Sequence, residues 1–121
     1  GVFWVPPFCR ELYTEWGIRL PDMNSEYLTS ALQIVCATER KLALRKEILQ
    51  NVAEEHNTSV AAIDCGIRRL VDAAEKRNTE GWQKFKQDYG LMGQSVTLSK
   101  LIYAARQKLI DTDSQIRKAR R

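Results

Sequence analysis

The sequence predicts an all-α domain of about six helices with a helix-turn-helix at its centre, near residues 42–78. Three observations carry that expectation. Apolar residues recur at spacings of three and four along most of the chain, the period of one helix face, and no run of five residues alternates as a strand would. Helix-stopping residues fall between those stretches: Gly17, Pro21, the Asn57-Thr58-Ser59 triplet, Asn78 and Gly90. The chain is 121 residues long, enough for one domain with its own core and no disulfides or metals.

Taken in order, the opening GVFWVPPFC is aromatic and proline-rich. Pro6-Pro7 disfavours a helix through it, so residues 1–9 read as an extended arm whose Phe3, Trp4 and Phe8 pack on the domain or on a partner. A short helix follows over 8–16, with Gly17 as its C-terminal cap. Pro21-Asp22 and Asn24-Ser25 form a turn. From Glu26 the pattern is helical, with Tyr27, Leu28, Ala31, Leu32 and Val35 in one stripe. A second stretch places Leu42, Arg45, Leu49, Val52, Ala53 and His56 on a shared face, with Ile48 beside them. Arg45 joins that face by laying its aliphatic stem along it. The cleanest stripe is Val60, Ile63, Ile67, Leu70, Val71 and Ala74, capped by Thr58 or Ser59 and running out at Lys76-Arg77-Asn78. Trp82, Phe85 and Tyr89 give a short helix over 81–89, read as core rather than as a base-stacking platform, and Gly90 ends it. Residues 90–97 form a loop. Ser99 caps the last helix, whose apolar side is Leu101, Ile102, Ala105, Leu109 and Ile116, and residues 111–121 form a basic tail with a frayed end.

Composition excludes several classes of protein. Hydrophobic residues make up 44% of the chain and charged ones 28%, which is the balance of a folded domain rather than a disordered one. The longest uncharged run, from Tyr27 to Thr38, is 12 residues, short of the roughly 18 apolar residues that a membrane span needs. The first residues lack the basic start of a signal peptide. Cys9, Cys36 and Cys65 are far apart, no pair has CxxC spacing, and His56 is the only histidine, so neither zinc nor any other cofactor is expected. Three free thiols fit a cytoplasmic protein. One histidine, no glycine-rich phosphate loop and no Ser-His or Cys-His arrangement leave nothing from which to build a catalytic site, so the chain does not read as an enzyme.

Charge is unevenly distributed. The net value is +4, yet residues 1–38 carry two basic and four acidic side chains, and residues 98–121 carry seven basic and two acidic. The basic tail suggests an anionic partner such as nucleic acid. The stretch from Leu49 to Leu70 says more. Two amphipathic helices meet across a short polar segment, with Ala53 four residues before Asn57 and Ile63 six after it. A small residue lets two helices cross closely, Asn tolerates the left-handed backbone of a tight turn, and an apolar residue anchors the second helix under the first. The second helix is then free to enter a major groove. Its outward residues are Ala61, Ala62, Asp64, Cys65, Arg68, Arg69 and Asp72. His56 reads as a capping or core histidine, and Cys65 as a small surface thiol.

On three segments the chain resembles the C-terminal DNA-binding effector domain of the stage-zero sporulation master response regulators. TEWGIRLPDMNSEYLTSALQIV (14–35) is similar to that family's turn and Tyr-Leu-bearing helix. LQNVAEEHNTSVAAIDCGIRRLVDAAEKRN (49–78) is similar to its helix-turn-helix, and TLSKLIYAARQKL (97–109) to its final helix. The likeness runs from about residue 12 to about residue 110, as in a divergent member. It implies six helices and sequence-specific binding of double-stranded DNA through Thr58, Ser59, Asp64, Cys65, Arg68 and Arg69. It also implies a role in transcription regulation, with a homodimer on DNA as a further expectation. Arg68 matches a family arginine, Arg69 stands where the family has His, and Asp64 where it has Glu. Ala62 and Cys65 stand where the family has two more arginines, Glu54-Glu55 replaces a Lys-Lys pair, and the loop before the last helix is about four residues shorter. Each lost bidentate arginine removes about 1–3 kcal/mol of base discrimination. The departures predict weaker DNA binding and do not carry over the family's DNA box. The rival reading is a protein-interaction module on the same fold, using the Phe3-Trp4-Phe8 arm or the final helix, with RNA polymerase as one such partner.

Overall fold

The computed structural model describes residues 6–119, with side chains from Phe8 onward. The described residues are all-helical and contain no strand. In chain order the helices are α1 (Pro6–Glu15), α2 (Met23–Cys36), a π-helical segment (Leu44–Leu49) that runs straight into α3 (Gln50–Glu55), α4 (Val60–Arg77), α5 (Glu80–Asp88) and α6 (Leu98–Ala119). Helix α2 lies at the centre and packs most extensively on α4 and α6. Its Leu28, Ala31 and Leu32 are fully buried, as are Ile63, Ile67 and Ala74 of α4 and Leu101, Ile102 and Ala105 of α6.

The helix ends follow from local chemistry. α1 stops in a Schellman motif: Gly17 sits at φ 80°, Ile18 N–H donates to the Tyr13 carbonyl at 2.9 Å, and Gly17 N–H to Thr14 at 3.0 Å. Asp22 caps α2 by accepting from Ser25 N–H at 2.9 Å. At the other end of α2, Arg106 of α6 donates Nε to the Val35 carbonyl at 2.9 Å and Nη2 to the Thr38 carbonyl at 3.4 Å. A cation there meets both the orphan carbonyls and the negative end of the helix dipole.

Six local expectations are corrected. Residues 6–9 are helical, not an extended arm, because proline's fixed φ and missing N–H suit a helix's first turn; Phe3 and Trp4 lie outside the described residues. Asn24 and Ser25 belong to the first turn of α2 rather than to the preceding turn, since Asp22 supplies the cap. Arg45 does not lie along the core face, and its side chain is 67% exposed. The i→i+5 bonding of the π segment, closed by Gln50 N–H to the Arg45 carbonyl, widens the turn. That register buries Ile48 and Leu49, packs Leu44 against the core and leaves Arg45 outside. Ser99 is inside α6, and Thr97 takes the capping position by accepting from Lys100 N–H at 3.3 Å. The basic end is helical to Ala119 rather than frayed from Arg117: the buried start of α6 propagates one backbone bond at a time, and an Asp113–Arg117 pair at 2.9 Å spans i,i+4. Arg120 and Arg121 lie outside the described residues. Tyr89, finally, is only half-buried at the end of α5, where its hydroxyl donates to Asp111 Oδ2 at 2.8 Å.

Two glycines permit close approaches. A Cβ on Gly66 of α4 would stand 2.5 Å from Asn24 Oδ1 and 3.1 Å from the Tyr27 ring of α2. A Cβ on Gly81 of α5 would stand 2.5 Å from the backbone oxygen of Glu15. There the end of α1 is docked on the start of α5, and the Thr79 hydroxyl donates to that same Glu15 oxygen at 2.6 Å. Alanine gains up to about 1 kcal/mol of helix propensity over glycine, but a backbone oxygen cannot rotate away as a side chain can. Gly81→Ala is therefore expected to cost about 1–3 kcal/mol net through overpacking. At roughly 4 °C per kcal/mol, a thermal melt resolves this, and an unchanged midpoint would show that α1 and α5 separate freely.

A second packing prediction arises where α3 meets α4. Ala53, Val52, Ile63, Ile67 and Leu70 are all buried there, and Ala53 is 4% exposed. Ala53→Leu should destabilise the domain by about 1–3 kcal/mol, since three added carbons have no space. Equal urea midpoints for the variant and the parent would place Ala53 away from any close contact.

Candidate functional site

Helices α3 and α4 are joined by the four residues from His56 to Ser59. α3 ends as α1 does: Asn57 takes the left-handed conformation at φ 52°, Thr58 N–H donates to the Ala53 carbonyl at 2.9 Å, and Asn57 N–H to Glu54 at 3.2 Å. Asn pays less than most residues for that backbone because its short polar side chain bonds locally. Ser59 is extended, and its hydroxyl caps α4 by accepting from Ala62 N–H at 3.1 Å. The turn is also tied to α2. The His56 ring meets Tyr27 edge-on at 5.0 Å between centroids, and its Nε2 lies 2.8 Å from the buried Ser30 hydroxyl. These contacts hold the angle between the turn and the core, so His56 serves packing and capping.

Helix α4 presents two faces. Ile63, Gly66, Ile67, Leu70, Val71 and Ala74 are buried. On the other side Ala61, Cys65, Arg68, Arg69 and Asp72 are exposed, with Ala62 and Asp64 half-buried. The six residues singled out from the sequence fall together: Thr58 and Ser59 are exposed at the turn, and Asp64, Cys65, Arg68 and Arg69 follow along the outward side of α4. Asp64 is the junction of this surface. Its Oδ1 accepts from Arg68 Nε at 2.5 Å, and its Oδ2 lies 3.5 Å from Arg45 Nη1 on the π segment. Exposed pairs of this kind are worth about 0.2–1 kcal/mol, so their consequence is the placement of two guanidinium groups rather than stability. Arg69 makes no ion pair among the described residues and points its charge into solvent.

Arg45 is the residue that sequence reasoning missed at this surface. It lies in residues 39–47, which hold four basic and two acidic side chains, but its pairing with Asp64 spans two helices and follows from the π-helical register. Gly66 was missed as well, although a lone glycine inside a clean apolar stripe is a signal of close approach. Acidic groups border the surface too: Glu54 and Glu55 are exposed at the end of α3.

The thiols do not form a reactive cluster. All three cysteines are free. Burial pushes the Cys9 thiol up to about 12, and Cys36 is pushed up to about 11 by the same desolvation, so both stay protonated at neutral pH. Cys65 is exposed on α4. Among the described residues no group of three or more His, Cys, Asp or Glu side chains is placed to hold a metal ion, and no helix is long and apolar enough to cross a membrane.

The geometry defines an all-helical domain with a capped two-helix unit whose second helix carries Arg68 and Arg69 beside Asp64 and Asp72 on its outer side. No protein-family model matches the sequence, and comparisons with curated proteins and with solved structures return no match.

Proposed function

We propose that this chain is a sequence-specific DNA-binding domain of the helix-turn-helix type. In this reading it is the effector part of a cytoplasmic response-regulator-like transcription regulator, related to the sporulation family it resembles. The observation that supports the reading best is the outward side of α4: Arg68 is held by Asp64, Arg69 makes no ion pair among the described residues, and both follow a capped turn that leaves the start of the helix exposed. Arginine's planar fork matches guanine O6 and N7 in the major groove, and a recognition helix reads bases from its N-terminal half. Phosphate contacts from neighbouring cations would fix the register. A homodimer on DNA belongs to the same reading.

Selection of bound sequences from random duplex DNA at low salt tests it. A recovered preference whose affinity falls steeply as salt rises is the expected result, because each neutralised phosphate releases counterions. Absence of any salt-dependent affinity would remove the reading. A second reading, a protein-interaction module on the same fold, is favoured by Glu54-Glu55 beside the turn and by Ala62 and Cys65 on the outer face of α4. That absence would make it the better of the two.

A further inference from the structure

We propose that Arg45, on the π-helical segment before α3, is a second contact of this surface with DNA, and that Asp64 positions Arg45 and Arg68 together, Arg45 for a backbone phosphate of the duplex. The inference rests on the DNA-binding reading and adds to it a residue from the first helix. Arg45 and Arg68 come from different helices and converge on one carboxylate, each engaging it through a single nitrogen. A guanidinium carries five N–H donors, so most of the donors on both side chains stay free. The side chains are 67% and 62% exposed, whereas Asp64 is only 20% exposed. The anion therefore sits beneath, and the two cations stand outside it.

Arg40 provides the contrast on the same segment of chain. Both of its terminal nitrogens are taken by the two oxygens of Glu47, at 3.1 and 3.2 Å, and Glu47 is also bonded by Ala43 N–H at 2.8 Å. That fork is consumed by a structural pair; the fork of Arg45 is not. Two cations on one buried-side carboxylate leave a net positive charge, and Lys46 and Arg69, which follow Arg45 and Arg68 in sequence, are exposed as well. In helix-turn-helix docking the first helix crosses the phosphate backbone while the second reads bases, and this division assigns Arg45 to phosphate and Arg68 to a base edge.

The test is fluorescence anisotropy of the whole chain on two duplexes, the selected site and a random-sequence pool, between about 50 and 200 mM salt. Arg45→Gln should lower the slope of log affinity against log salt by about 0.9, the value for one phosphate, on both duplexes alike. Over that fourfold range the variant's affinity should fall about 3.5-fold less than the parent's. Arg40→Gln should leave the slope unchanged. Asp64→Asn should reduce the preference for the selected site over the pool while pool binding holds or rises. A merely repulsive acid would instead tighten both equally on removal. A parental slope in Arg45→Gln overturns the phosphate contact, and an intact preference in Asp64→Asn overturns the positioning role. A parent with no salt-dependent affinity for either duplex overturns the DNA-binding reading itself, and this inference with it.

Discussion

Trp82→Ala is expected to cost about 3–5 kcal/mol, the range for truncating a buried aromatic side chain. Trp82 is fully buried, stands edge-on to Trp16 at 5.1 Å, and stacks on Phe85 at 5.7 Å with 25° between planes. It packs α5 on Trp16 at the end of α1, beside a Trp16–Phe85 contact at 4.8 Å, so its loss opens a cavity in that aromatic cluster. Domains of this size are stable by about 5–15 kcal/mol, and the variant should lose a large part of that. Urea denaturation followed by circular dichroism checks it: the midpoint should fall sharply with an unchanged slope. Trp82→Phe is the informative companion. The indole Nε1 of Trp82 is buried with no hydrogen-bond partner among the described residues, so phenylalanine keeps much of the apolar contact and removes an unsatisfied donor. Its cost should be well below that of alanine. Equal losses for the two variants would mean that the Trp82 N–H is bonded in solution.

On the proposed DNA-binding function, Arg68→Ala is expected to weaken binding to the preferred site by about 1–3 kcal/mol, which is roughly 5- to 150-fold, and to relax preference at one base pair. Stability should barely move, because the Asp64–Arg68 pair is an exposed i,i+4 contact worth about 0.3–0.5 kcal/mol. A thermal melt beside the binding curve therefore separates loss of contact from loss of fold. Adding arginines at the two positions where the resembled family carries them, as Ala62→Arg with Cys65→Arg, should tighten binding to that family's DNA boxes. Unchanged site preference in Arg68→Ala would show that this arginine does not read a base, whatever the domain's overall affinity.

The sequence by itself determined the all-helical class and the order of the helices, for reasons that are local. The stripe from Ile63 to Ala74 needs only the 3.6-residue period to mark a buried face, and it is buried. Asn57, Asn78, Gly17 and Gly90 stop helices because their own backbones tolerate positive φ, and all four adopt it. The outward side of α4 was legible for the same reason, since a face not needed by the core is left to solvent. Tertiary structure decided the features that depend on distant neighbours. The π turn at Leu44–Leu49 moves Arg45 out of the predicted stripe and onto Asp64. Gly66 and Gly81 matter only because Asn24, Tyr27 and the Glu15 carbonyl are brought against them. Arg106 caps a helix 71 residues earlier in the chain. Periodicity records which side of a helix is apolar, but it holds no distance between residues on different helices. Those distances come from packing, and they separate Arg40, whose fork Glu47 consumes, from Arg45, which meets Asp64 through one nitrogen and keeps most of its donors free.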